Sequence, residues 1–163
     1  MEADPKTLFD ERHFAEDTGL LFEVMGANRM AGRVWGLLAI AAEPHMSASE
    51  LADRLGASAG SISTATRLLV SIGLVVRVRI PGDRRGYFRV REEGILNLVS
   101  QRQMILAEAR RLAERGLREF GERPLARERL EEWRQVYAFY ERELPALVER
   151  YQQERRGRGG DET

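Results

Sequence analysis

Gly56-Ala57-Ser58-Ala59-Gly60 has the spacing of the G-x-S-x-G turn that presents a nucleophilic serine in hydrolases. That chemistry needs a strand before the serine and a histidine after it in the chain. Here a helical pattern precedes Ser58, and both histidines, His13 and His45, come earlier. No hydrolase is read from this turn, and Ser58 is read as a helix cap. The absence of Cys excludes a disulfide framework, a thiolate zinc site and a cysteine nucleophile. His13 and Glu16, three apart on one helical face, read as exposed polar surface rather than metal ligands, and His45, after Pro44, reads as a loop residue. No catalytic residue, metal site or cofactor is expected.

Anion binding is the chemistry the residue pattern does support. The chain has 163 residues with 26 bases and 26 acids, yet its neutrality hides two poles. Residues 1–28 carry seven acids against Lys6 and Arg12, a net of −5. From Arg67 to Arg91 there are seven Arg against Asp83 alone, a net of +6. A basic block inside a neutral chain suits a local anionic partner, and the planar arginine fork suits phosphate.

The elements that must position these groups are mainly helical, in keeping with 43% hydrophobic and 32% charged residues. Asp4-Pro5 opens a helix bearing Leu8, Phe14, Leu21, Phe22 and Met25, ending near Gly26. A more buried helix runs from about Met30 to Ala42 and stops at Glu43-Pro44. Ser47 and Glu50 have capping-box spacing and start a short helix, which Gly56 ends. Ser58 caps the next helix, where Ile62, Ala65, Thr66 and Leu69 recur at helical spacing until Gly73. Leu74 to Ile80 then alternates with a period of two, Pro81 to Gly86 is turn-rich, and Tyr87 to Arg91 alternates again, which predicts a β-hairpin with a basic tip.

From about Glu92 the pattern is helical to Phe120, breaks at residues 121–124, and resumes to about Arg156. Leu130, Trp133, Tyr137, Tyr140, Leu144, Leu147 and Tyr151 form the seam of a helix packed along another, with Pro145 expected to kink or divide it. Trp133, Tyr137 and Tyr140 either pack in this seam or line a pocket for a cation. Residues 157–163 read as a disordered tail. The longest apolar run, Val34 to Ala42, falls short of the roughly 20 residues of a membrane helix. The chain does not open on a signal peptide's basic start, so no membrane association and a cytoplasmic location are expected.

A helix-turn-helix followed at once by a basic hairpin is a winged helix-turn-helix. The second helix of the pair enters the major groove, where short hydroxyl side chains reach bases or phosphates. The candidate DNA-binding residues are Ser58, Gly60, Ser61, Ser63, Thr64 and Arg67 on that helix, with Arg84 and Arg85 in the wing. Arg77, Arg79, Arg89 and Arg91 read equally as a solvated strand face. Arg29 and Arg33 could touch phosphate or pack against the acidic first helix.

Gly32 to Leu38, Ser58 to Leu69, Gly73-Leu74-Val75 and Pro81 to Phe88 together resemble the GbsR-like branch of the MarR-type bacterial transcriptional regulators. The resemblance covers residues 29 to 91. It implies a homodimeric, DNA-binding winged-helix regulator, often a repressor and in some members responsive to a small-molecule effector. The expected organisation is an N-terminal dimerisation helix (1–28), the winged domain (29–91) and long C-terminal dimerisation helices (92–156). The alternative is a protein-interaction module that uses the winged helix without DNA.

Overall fold

In the computed structural model, the backbone is described for residues 5–159 and side chains for residues 11–157. The chain is mainly α, with helices α1 (Pro5–Val24), α2 (Arg29–Ile40), α3 (Ala48–Leu55), α4 (Ala59–Ser71), α5 (Gly94–Phe120) and α6 (Pro124–Gly159). Strands β1 (Met46–Ser47), β2 (Val75–Val78) and β3 (Tyr87–Val90) form one antiparallel sheet in the order β1-β3-β2. It divides into two compact units, the first running through Ile95 and the second starting at Leu96. Among the described residues, no helix is long and apolar enough to cross a membrane.

In the first unit, α2 is the central helix. The Asn28 side chain caps it by accepting the Ala31 N–H, and its Ala31, Val34 and Leu37 are buried with Met46, Leu51, Ile62, Leu69 and Val75. Removing this apolar surface from water is the main stabilising term. α1 packs along α2 mainly through small residues, joined by the half-buried Phe22 beside Trp35. Ala15, Thr18 and Gly19 are buried, while Phe14, Leu21 and Met25 are exposed. The cause lies on α2: a Cβ on Gly32 would stand 2.6 Å from the Thr18 carbonyl, and one on Gly36 2.6 Å from Thr18 Oγ1. The backbones meet too closely for large side chains to intervene. The Asp4 cap expected for α1 lies outside the described residues.

β1 is an addition to the expected hairpin. It is two residues long and pairs Met46 with Phe88 and Ser47 with Tyr87, which makes β3 the middle strand. β2 starts later than the alternation suggests. Leu74 belongs to the turn out of α4, where its N–H donates to the Leu69 carbonyl after Gly73 at φ 77°. Leu74 and Val75 are therefore both buried, and the expected one-sided alternation is blunted at the strand's first residue.

The second unit consists of α5 from Leu96 onward and α6. Leu130 of α6 lies against Gly116 of α5, where an added Cβ would stand 3.1 Å from the leucine, and the Arg110 Nε donates to Glu141 Oε2 at 2.6 Å. Ala113 is the one fully buried apolar side chain among this unit's described residues. The aromatic stripe accordingly stays open in the single chain, with Leu147 50% and Tyr151 54% exposed. α6 passes Pro145 without dividing and continues through Gly159. Residues 157–159, expected in the tail, are thus helical, because extending an existing helix adds one hydrogen bond per residue fixed. Residues 160–163 lie outside the described residues.

Candidate nucleic-acid interface

The site begins with how α3 and α4 are held. Ser47 and Glu50 complete the capping box: the Ser47 N–H donates to Glu50 Oε2 at 2.6 Å, and the Glu50 N–H donates to Ser47 Oγ at 3.3 Å. The Ser47 N–H, and after it the Ser47 hydroxyl donating to the same carboxylate at 2.7 Å, lower the Glu50 carboxyl below its ordinary pKa. Gly56 ends α3 in the left-handed conformation at φ 59°, where a side chain would be strained. Ser58 then caps α4, accepting the Ser61 N–H at 3.2 Å, with the two hydroxyls 2.9 Å apart.

α4 divides cleanly into two faces. Ile62, Ala65, Thr66 and Leu69 are buried, and the Thr66 hydroxyl is satisfied by the Ile62 carbonyl at 2.8 Å. Ser63, Thr64 and Arg67 are exposed on the opposite face. Arg67 is laid along the helix, its Nε donating to the Ser63 carbonyl at 3.3 Å. Gly60 is open: a Cβ there would meet only Ser58 Oγ, 3.9 Å away. Ser58 and Ser61 are engaged with each other and the Thr64 hydroxyl accepts from Arg67 Nη2 at 3.5 Å, which leaves the Ser63 hydroxyl uncommitted at this helix start.

The wing separates its two arginines. Asp83 accepts the Arg85 N–H at 2.8 Å and Arg85 Nη2 at 2.7 Å, and it also accepts the Tyr87 hydroxyl at 2.6 Å. The Arg85 guanidinium lies 5.3 Å from the centre of the Tyr87 ring. These contacts, Arg85 foremost, hold the Asp83 carboxyl well below the usual carboxylate range, and the same carboxylate raises the Tyr87 phenol. Arg84 is exposed with no such partner among the described residues. Both are candidate DNA-binding residues of the wing, yet they stand in different surroundings. Arg85 is locally compensated, and Arg84 carries the wing's available charge. Arg77 packs against the wing backbone, where a Cβ on Gly86 would come 2.7 Å from its Nη2. Between α4 and the wing lies a cleft of about 480 Å³ that includes Ser63, Arg67, Arg77 and Phe88.

This layout can be set beside known proteins. The MarR family model matches residues 34–86, and a model described as MmpR5-like MarR family transcriptional regulator matches residues 93–154. The HTH-type transcriptional regulator MmpR5 of Mycobacterium tuberculosis strain H37Rv is 38% identical over 154 residues, covering 94% of this chain and 91% of that protein. The chain belongs to the MarR family. A crystal structure of a transcriptional regulator, 38% identical, superposes on this MarR-family chain with a TM-score of 0.74, covering 88% of it and 99% of the other. The family is the one the recognition-helix and wing motifs indicate, and its members are DNA-binding transcriptional regulators of winged helix-turn-helix fold. The branch named by the matches is the MmpR5-like one rather than the GbsR-like one.

The remaining candidates of this MarR-family chain fall as follows. Ser58 follows a helix, not a strand, and its hydroxyl is a cap. Glu16 faces Arg33 and Arg29 across α1 and α2, at 2.7 Å and 3.2 Å, so both arginines pack against the acidic helix. Arg89 lies 3.8 Å from Glu92. His45 is more than a loop residue, because its ring meets the edge of Tyr87 with centroids 4.9 Å apart. Trp133 and Tyr137 are neighbours with ring centroids 6.2 Å apart, and Phe139 and Tyr140 make a second pair at 5.7 Å. Trp133 also borders a groove with Met104, Ile105 and Leu112. The residue of the wing that sequence reasoning missed is Asp83, read only as part of a turn. Its signal was an acid placed two residues before Arg85 and four before Tyr87.

Proposed function

We propose that this MarR-family regulator acts as a homodimeric repressor on a pseudo-palindromic duplex site, one subunit per half-site. In this reading α4 enters the major groove with Ser63 and Thr64 toward the bases, while Ser58, Gly60, Ser61 and Arg67 lie along the backbone and Arg84 and Arg85 belong to the wing beside the minor groove. The observation that carries it is the division of α4: an exposed Ser63-Thr64-Arg67 face directly opposite a fully buried one, beside an uncompensated wing arginine. Dimerisation is supported by the second unit, where Ala113 is the single fully buried apolar side chain among the described residues and Leu147 and Tyr151 stand half exposed. A response to a small effector rests on family resemblance alone, and no residue is assigned to it. The protein would act in the cytoplasm, without a chemical step of its own.

The test is selection of bound duplexes from a random pool, followed by titration of the best sequence at several salt concentrations. A recovered inverted repeat and a steep log-log salt slope, from released counterions, are expected. A flat slope with no recovered sequence would favour the protein-interaction alternative. A reporter placed behind the recovered site distinguishes repression from activation.

A further inference from the structure

An α-helix leaves its last four carbonyls without partners inside the helix. In α3 these belong to Ala52, Asp53, Arg54 and Leu55, directly before the turn that aims α4. The turn itself supplies two donors: the Gly56 N–H reaches Ala52 and Asp53, and the Ala57 N–H donates to Ala52 at 2.9 Å. The other two carbonyls are met from outside the helix-turn-helix. Arg12 of α1 donates its Nε to the Arg54 carbonyl at 2.8 Å, and Arg33 of α2 donates its Nη2 to the Leu55 carbonyl at 2.8 Å. Cationic donors suit this end of a helix, where the macrodipole is negative.

Arg33 is fixed in turn. Arg33 is largely buried, with its Nε 2.7 Å from Glu16 on α1, and it fits only because Gly19 has no side chain. A Cβ there would stand 2.8 Å from the Arg33 Cγ. The Arg54 side chain, whose carbonyl Arg12 caps, also pairs with Glu11 of α1 at 3.5 Å. The turn is therefore held by α1 at two adjacent carbonyls, once directly and once through Arg33.

We propose that Arg12 and Arg33 are positioning residues for sequence reading: by clamping the end of α3 they set the angle at which α4 meets the bases, without touching DNA. This rests on the assignment of α4 as the reading helix. Lysine at position 33 would keep the charge opposite Glu16, but its three N–H donors sit on one nitrogen and cannot reproduce the spread by which Arg33 reaches Glu16 with Nε and the Leu55 carbonyl with Nη2.

The experiment compares the full-length protein with Arg33→Lys and Arg12→Gln. Each is titrated with the best duplex from random-pool selection and with a scrambled duplex of equal length. Arg33→Lys is expected to lose about tenfold in affinity for the selected duplex and to stay within about twofold on the scrambled one, so that the specificity ratio falls. Arg12→Gln, altered at an exposed site, is expected to lower the same ratio by about threefold. A merely structural role reduces the folded fraction and weakens both duplexes equally, so an unchanged ratio in both variants overturns the proposal. So does a salt slope flattened by about one in Arg33→Lys, which would make Arg33 a phosphate contact. A wild-type protein with no preference between the duplexes would overturn the reading assignment itself, and this inference with it.

Discussion

The Asp83 carboxylate grips Arg85 at both ends, taking its backbone N–H at 2.8 Å and its Nη2 at 2.7 Å, while the Tyr87 hydroxyl completes the clasp at 2.6 Å. The wing is thus shaped by an acid at its tip, in a region where added negative charge would by itself repel DNA. This gives a prediction that charge counting alone reverses.

Asp83→Asn removes a negative charge from the wing and would tighten DNA binding if charge were all that mattered. Because it releases Arg85 and Tyr87, we expect binding about five- to tenfold weaker. Arg84→Ala should instead flatten the salt slope by about one while leaving sequence preference intact. Anisotropy titrations across a salt series check both, and tighter binding by Asp83→Asn would leave the clasp with no part in recognition.

The clasp also has a defined pH range. Arg85, then Tyr87 and the Arg85 amide, lower the folded Asp83 pKa. A depressed carboxyl contributes stability above its unfolded value, about 3.9, and loses it only as pH falls through the lower folded value. Tyr87 is raised and so remains protonated through neutrality. Carbon NMR of the Asp83 carboxyl should therefore be flat from about pH 5 to pH 9, and a midpoint at or above about 4 would contradict the geometry.

On α4 the two faces should respond oppositely. Ile62→Ala empties a fully buried site and should cost about 2–5 kcal/mol. Ser63→Ala and Thr64→Ala, on the exposed face, should change stability by less than about 0.5 kcal/mol yet alter the bases selected. Gly60→Ala, with only Ser58 Oγ near its new Cβ, should stabilise the helix by up to ~1 kcal/mol and weaken DNA binding where the backbone is approached closely. Thermal melts paired with random-pool selection separate these outcomes, and a Ser63 or Thr64 variant with unchanged preference would remove that residue from the interface.

Leu147→Glu combined with Tyr151→Glu places charge on half-exposed positions and should leave each chain folded. If these residues lie between two copies, sedimentation will show a monomer, and operator affinity will fall by about a hundredfold or more as paired half-site binding is lost. A discrete dimer with full affinity would assign the stripe to another role.

α4 and the wing were legible because their signals are local. A cap at Ser58, apolar residues at helical spacing and the Pro81-Gly82-Asp83 turn each depend on neighbours in the chain. β1 was not, since two residues carry no period and its pairing with β3 spans some forty residues. The α1–α2 crossing was not legible for a related reason: Ala15, Thr18 and Gly19 meet two glycines of α2 there, and such small residues carry no hydrophobic period. Of the candidate site, the exposed row Ser63, Thr64 and Arg67 followed from helical period. The unequal standing of Arg84 and Arg85 did not, because it depends on which side chain the turn aims at Asp83.

The chain has two tryptophans, and they fall one to each compact unit: Trp35 beside Phe22 in the first and Trp133 beside Tyr137 in the second. Intrinsic fluorescence therefore offers a separate reporter for each once the other tryptophan is replaced by phenylalanine. Denaturation curves followed through Trp35 and Trp133 would coincide if the first unit and the terminal helices melt as one cooperative body, and would separate if the helices come apart first. A difference that depends on protein concentration would expose the contribution of the second copy to folding, with no label added to the surface that meets DNA.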